Sequence, residues 1–273
     1  MTFPNFKNKH AEDALFNPKD FLKYLKKIGK YPSFKAPKRV IFCYSKSFFN
    51  YILAQHEVTK IEGFREMYIL DDSNGQIAVA GRFGIGAPAV ITLMEELIAF
   101  GVKEFISIGT AGALQKYLKI GNLVVCDRAI RDEGVSHHYA KSSKYSYASK
   151  ILTANIKTAL ENIGEKYSIG TSWTIDAPYR ETVEEARQYQ KEGVATVEME
   201  LSALFAVAEY RKVEMGTILT ISDSLADLKW KPQFHHKDTS RGLETLYKVA
   251  LGVEYVKIKP NRDVTLNYKR NNK

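Results

Sequence analysis

The sequence has 273 residues, 45% hydrophobic and 26% charged, an ordinary globular composition with length enough for a substantial core. No uninterrupted apolar stretch approaches a membrane span, and the opening residues Met1 to Lys7 lack the apolar core of a signal peptide, so a soluble cytoplasmic protein with no membrane partner is expected. Forty Lys and Arg against 31 Asp and Glu give a formal charge of +9, but apart from Lys23, Lys26, Lys27, Lys30 and the tail from Lys257 to Lys273 they are scattered and no nucleic-acid motif accompanies them, which predicts a solvated basic surface and no nucleic-acid partner.

Residues 1–38 are polar and punctuated by Pro4, Pro18, Pro32 and Pro37. Phe21, Leu22, Leu25 and Ile28 recur at helical spacing and Gly29 supplies a stop, so this arm holds one short amphipathic helix. Val40 to Tyr44 reads as a buried strand, Phe48 to Ala54 as a helix, and Ile77 to Ala80 as a second core strand. A glycine turn from Gly81 to Gly86 precedes a helical run with Ile91, Met94, Leu97 and Ile98 on one face. Phe105 to Ile108 is a short strand ending in Gly109-Thr110-Ala111-Gly112, and Leu123 to Cys126 is the next, followed by the polar stretch Arg131 to Tyr139.

Beyond it, Ile151 to Leu160 is helical, Ile169 to Ile175 extended, and Val183 to Gln190 a polar helix. Ala195 to Val197 leads into Glu198-Met199-Glu200 and a strongly apolar helix through Leu204, Val207 and Ala208. Thr217 to Ile221 is a strand ending at Ser222-Asp223, and a helix from about Arg241 to Leu251 precedes the basic tail. Strands alternating with helices predict an α/β fold, and strands that are continuous apolar runs predict a sheet covered on both faces. Cys43 and Cys126, the two cysteines, lie in such runs and read as buried strand thiols of a reducing compartment, with no zinc-ligand spacing. No repeat or linker divides the chain, which predicts an arm over 1–38, one domain over 39–255 and a tail over 256–273.

In such sheets chemistry collects where strands end. Gly109 to Gly112 places two glycines and a hydroxyl after a strand, which suits either a tight turn or a nest of N–H groups for an anion with Thr110 as a further donor. Glu198 and Glu200 flank Met199 before a buried helix; they suit either acids at a helix N-terminus or carboxylates that accept from a vicinal diol. Asp223 follows an apolar strand, placed either as a turn cap or as a general acid whose pKa burial would raise. Tyr179 and Arg180 offer an aromatic face and a cation, or Arg180 simply pairs with Glu181 or Glu184; the adjacent His137 and His138 read as loop surface residues, or as metal ligands or acid-base groups. Gly81 to Gly86 lacks the spacing of a dinucleotide fingerprint, and no phosphate loop with Gly-Lys-Ser/Thr occurs.

The ordered set from Gly84-Ile85-Gly86-Ala87-Pro88 and Glu95-Glu96-Leu97, through Ile108 to Ala113 and Gly121-Asn122-Leu123-Val124, to Val197 to Glu200 and Ser222-Asp223 resembles the purine nucleoside phosphorylase and uridine phosphorylase family over roughly Arg39 to Leu251. The resemblance implies a single α/β domain whose central mixed, partly barrel-like sheet is flanked by helices. It implies a homo-oligomer, a dimer or a trimer of dimers. It implies cleavage of a nucleoside N-glycosidic bond with phosphate as co-substrate and with neither metal nor cofactor. Carried over by position, Gly109 and Thr110 meet phosphate, Glu198, Met199 and Glu200 hold the ribose, Asp223 protonates a purine with Ser222 beside it, and Tyr179 and Arg180 fall near the base.

Two phosphate ligands of the family are missing. Ser107 stands where these enzymes carry arginine two residues before Gly-Thr, and Tyr44-Ser45-Lys46-Ser47-Phe48 replaces an arginine-bearing loop. Lys46, Arg82 and Arg131 are candidate substitutes, with Arg82, in the glycine turn, the preferred one. The reading is therefore phosphorolysis of a purine nucleoside; the alternatives are a hydrolase of the same fold acting on a nucleoside, thio-nucleoside or nucleotide, and a uridine-type phosphorylase. Relatives receive a histidine near the ribose 5′ end from a neighbouring subunit, for which His10 is a counterpart by position.

Overall fold

The computed structural model describes residues 4–6 and 8–256; the basic tail from Lys257 lies outside them. In chain order the elements are α1 (Pro18–Lys27), β1 (Arg39–Cys43), α2 (Lys46–Ala54), β2 (Val58–Lys60), β3 (Met67–Leu70), β4 (Ile77–Ala80), α3 (Ala87–Phe100), β5 (Glu104–Ala113), β6 (Leu123–Asp132), β7 (Tyr145–Tyr147), α4 (Lys150–Asn162), β8 (Tyr167–Ile175), α5 (Val183–Lys191), β9 (Thr196–Glu198), α6 (Leu201–Arg211), β10 (Glu214–Ser224), β11 (Lys231–Pro232) and α7 (Lys237–Gly252). Every residue of β1 and β4 is buried, as continuous apolar strands require when helices cover both faces.

One sheet holds all eleven strands of the described residues. β10 pairs with β6, β6 with β8, β8 with β9 and β9 with β5, and β5 pairs back with β10, closing five strands into a barrel of mixed direction. From β5 the sheet continues through β1 and β4 to the antiparallel pair β3 and β2. The partly barrel-like mixed sheet is therefore present. Phe48, Phe49 and Ile52 of α2, Leu152 and Ile156 of α4 and Leu243 and Leu246 of α7 share one core cluster, while Leu93, Met94 and Leu97 of α3 and Leu204 and Phe205 of α6 build another. The buried Arg39 donates to the carbonyls of Ala250 and Val253 at 3.0 and 2.7 Å and pairs with Glu104, which fastens the end of α7 to the start of the sheet.

The arm forms its helix because Asn17 and Asp20 make a reciprocal capping box around Pro18, and Leu22 and Leu25 bury their side chains as α1 packs on α3. One expectation fails here. Gly109 to Gly112 is no turn, because β5 runs on to Ala113 with Gly109, Thr110 and Ala111 opposite Leu219, Thr220 and Ile221. The backbone groups that face β10 join this ladder, whereas the pairing of β5 with β1 stops at Ile108. The glycine at 112 answers to packing instead, since a Cβ there would lie 2.7 Å from Leu225 Cδ1 and 3.1 Å from Val197 Cγ1. β6 and β10 are likewise longer than their apolar runs, because barrel closure pairs polar residues such as Arg128 and Ser224.

Candidate functional site

A cavity of about 610 Å³ opens where β5, β9 and β10 end side by side. Thr110, Glu198, Met199, Ser222, Asp223 and Tyr179 all line it, so the barrel gathers residues up to 113 positions apart in sequence. Strand pairing does the gathering: Gly112 of β5 stands opposite both Val197 of β9 and Asp223 of β10. A bulge between Ile221 and Asp223 breaks the β10 register, as bulges beside sites do when they re-aim a side chain.

Asp223 is no turn cap. Its Oδ1 accepts from the Ser222 hydroxyl at 2.8 Å and its Oδ2 from the Trp230 indole N–H at 3.0 Å. Burial raises its pKa, and the two donors oppose that rise by favouring the charged form. Glu181 faces the same cavity, and burial, then the charges of Asp223 and Glu185, push its carboxyl up to about 7.

The two glutamates differ in what they touch. Glu198 Oε2 accepts from the amides of Glu200 and Leu201 at 2.7 Å each, and Oε1 from the hydroxyls of Thr174 and Ser172 at 2.5 and 3.1 Å. It therefore caps α6, the helix-terminus role foreseen for one of the pair. Glu200 Oε1 accepts from the Gly86 amide at 2.5 Å. That amide is presented by the positive φ of 90° at Gly86, the residue that opens α3. Burial raises both carboxyls, and the Glu198 charge raises Glu200 further. Four converging donors hold Glu198 ionised, so the proton of the pair resides on Glu200.

Beside this end, the Tyr44 and Ser107 hydroxyls lie 3.0 Å apart, and the Tyr44 ring edge is 3.3 Å from where a Gly109 Cβ would be. Burial, then the Glu200 charge, raises the Tyr44 pKa well above the ordinary phenol value, so the pair is neutral. The position read as a missing arginine is thus filled by two hydroxyls.

Other candidates fall elsewhere. Arg82 does not line the cavity; its guanidinium pairs with Glu66 at 2.7 Å, bonds Asn50 and lies over the Phe49 ring. Arg131 is buried, donating to Ser136 and Ser143 hydroxyls and the Lys141 carbonyl, and so fastens a loop. Lys46 opens α2 at the surface. Arg180 lines a neighbouring hollow with Asp132, Asp176 and Glu185 instead of the main cavity, and Glu184 pairs with Arg187, not with it. His137 lies with His138 in a one-turn helix against which the Lys9–Ala11 turn, carrying His10, packs within the same chain. Sequence reasoning missed Glu181, Lys229, Trp230 and Phe234, which line the cavity from segments that looked like loops; the aromatic pair Trp230 and Phe234, four residues apart, was the available signal.

Comparison with known proteins agrees with this architecture. The family model of the phosphorylase superfamily matches residues 38–253. The chain is 32% identical over 184 residues to a purine nucleoside phosphorylase DeoD-type of Clostridium perfringens, covering 66% of this chain and 76% of that one. A uridine phosphorylase of Thermococcus kodakarensis is 29% identical over 154 residues, 50% of this chain and 54% of that protein. Among solved structures, uridine phosphorylase from Vibrio fischeri superposes with a TM-score of 0.69 at 30% identity, over 80% of this chain and 91% of the other. Purine nucleoside phosphorylase from Toxoplasma gondii, with immucillin-H, shares the fold at a TM-score of 0.70 and 20% identity, over 80% and 90% of the two chains. With the motif order, the closed barrel and a family match over most of its length, the chain belongs to the phosphorylase superfamily, among the pentosyltransferases.

Proposed function

We propose that this chain cleaves a purine nucleoside with phosphate, giving free base and ribose 1-phosphate. The observation that carries the purine reading is Asp223: a buried acid with a raised pKa, lining the cavity beside the exposed rings of Trp230 and Tyr179. As the C1′–N bond breaks, its electron pair passes to the base, and a proton from Asp223 to the purine ring neutralises the charge that develops there. A phosphate oxygen forms the new bond to C1′, while Glu200 and Met199 hold the ribose for that attack. Thr110, on β5 at the cavity wall, is the hydroxyl that meets the phosphate. Purine and uridine enzymes both occur among the relatives, so the choice of purine rests on Asp223 alone.

A second reading, hydrolysis by water in the same cavity, is favoured by one observation. The Tyr44–Ser107 hydroxyl pair, at positions where the resemblance implies arginines, is neutral, and Lys229 is the one cation among the described residues lining the cavity. The test of both is release of base from inosine, guanosine, adenosine and uridine, with and without phosphate. Purine release that requires phosphate supports the first reading; equal release in phosphate-free buffer overturns it in favour of the second. Faster release from uridine would remove the purine assignment.

A further inference from the structure

Trp230 belongs to the segment that leaves β10 and returns as β11, and the backbone fixes it beside Asp223. In the β10–β11 pair Pro232 stands opposite Asp223 and Lys231 opposite Ser224, and the Gln233 amide donates to the Ser222 carbonyl at 2.9 Å. The outward limb is held by the Gln190 side-chain amide, which donates to the carbonyls of Leu225 and Ala226 at 3.2 and 3.3 Å, and by the Lys231–Asp227 ion pair at 2.5 Å. Trp230 therefore approaches the acid from a tethered strand return. Its N–H is committed to Asp223 Oδ2, yet the residue is 63% exposed at the cavity wall, with the Phe234 ring centroid 6.3 Å from its own. A large ring fixed by its polar edge with its apolar body left uncovered has the form of a platform awaiting a planar partner.

We propose that Trp230 is both the positioning residue for Asp223 and the surface on which the base stacks. This inference rests on the reading of Asp223 as the acid that meets the base. The indole N–H can donate but cannot accept, so it keeps Oδ2 as an acceptor and leaves the acid proton to Oδ1, whose Ser222 partner is a hydroxyl free to rotate. The same bond opposes the rise that burial gives the Asp223 pKa, which sets the pH above which the acid is lost. The two roles are separable, because phenylalanine keeps a stacking ring and loses the N–H.

The test uses the full chain and its Trp230→Phe, Trp230→Ala and Asp223→Asn variants. Trp230→Phe is expected to lower kcat roughly tenfold to a hundredfold, the loss of one hydrogen bond to a charged group, with KM for inosine unchanged. Its alkaline limb of kcat moves to higher pH, since an Asp223 without its donor keeps its proton longer. Trp230→Ala adds a rise in KM of roughly fivefold to a hundredfold through the lost stack. Hypoxanthine should quench the fluorescence of Trp230 in the wild type, where Trp173 is fully buried, and leave Trp230→Phe unquenched. Wild-type kcat, KM and pH profile in both Trp230 variants, with Asp223→Asn inactive, would overturn the inference and spare the function. An active Asp223→Asn would overturn the role of Asp223 itself.

Discussion

The clearest quantitative test of the site's design is Glu198, a residue that sequence position assigns to the ribose and geometry assigns to the helix behind it. Its four donors are the amides of Glu200 and Leu201 and the hydroxyls of Ser172 and Thr174. In Glu198→Gln the backbone amides cannot reverse, so Oε1 must face them and the new NH2 must face the hydroxyls, which can rotate to accept. The variant thus loses charge and keeps geometry. A bond to a charged acceptor contributes about 1.5–3 kcal/mol and a neutral one about 1, so the two amides lose about 2 kcal/mol together. Relief of the burial of its charge offsets part of this, leaving about 1 kcal/mol, or roughly 2–4 °C in Tm for a chain of this size. Glu198→Ala instead orphans two buried amides, at about 1–3 kcal/mol each, and should lower Tm by roughly 5–15 °C. Thermal melts by circular dichroism, with KM for the nucleoside measured well below the transition, check both. A Glu198→Gln enzyme with wild-type Tm and a KM raised tenfold or more would refute the capping role and restore Glu198 to the ribose.

Glu200 has its pKa raised by burial and by Glu198, so the folded state keeps its proton to higher pH than the unfolded state. Its contribution is fully present below the unfolded value near pH ~4.3 and is lost as pH rises through the raised one. Glu200→Gln should therefore gain Tm over wild type progressively across that window, and a difference independent of pH would contradict the assignment; KM for the nucleoside should rise at the same time. Arg82→Ala should leave KM for phosphate unchanged and cost about 1–2 kcal/mol, because it breaks a half-exposed pair with Glu66, a bond to Asn50 and the contact with the Phe49 ring. Thr110→Val should raise KM for phosphate and leave Tm nearly unchanged, and the opposite pattern for this pair of variants would return the anion to the glycine turn.

Most of the sheet was legible because its strands are apolar runs whose burial is forced on both faces. Ile77 to Ala80 is read at its observed bounds, and Val40, Phe105, Leu123 and Thr217 each fall within the strand foreseen for them. What local pattern could not supply was closure. Whether Gly109 to Gly112 turns or continues depends on β9 and β10, whose partners lie more than 80 residues away. The short strands Val58–Lys60 and Tyr145–Tyr147 carry no apolar alternation and exist because a neighbouring strand offers them an edge. The same holds for the site. Asp223 and Glu200 stand at strand ends and Thr110 at the end of an apolar run, where the sequence singles them out, whereas Trp230 and Phe234 lie on a segment whose path is set by the pairing of Pro232 with Asp223.

The charge of the chain points one way and its cavity the other. A formal +9 would draw anions to the surface, yet Glu198, Glu181 and Asp223 line the cavity with Lys229 as their one cationic neighbour among the described residues. With Glu200 behind Glu198 there are four acids at this end of the barrel, three of them buried, which cannot all ionise beside one another at ordinary cost, and here they are separated by role. Glu198 is ionised and spent on the helix amides. Glu200 shares its field and carries the proton until a rise in pH removes it. At the other end burial raises Asp223, and burial and the Asp223 charge raise Glu181, so both acids are biased toward holding a proton there. A cavity so arranged favours positive charge at the sugar carbon as the glycosidic bond opens, and the field that does so is built before any nucleophile arrives. On the proposed reading the neutral Tyr44–Ser107 pair bears on the choice of nucleophile, and the glutamates bear on the opening of the bond.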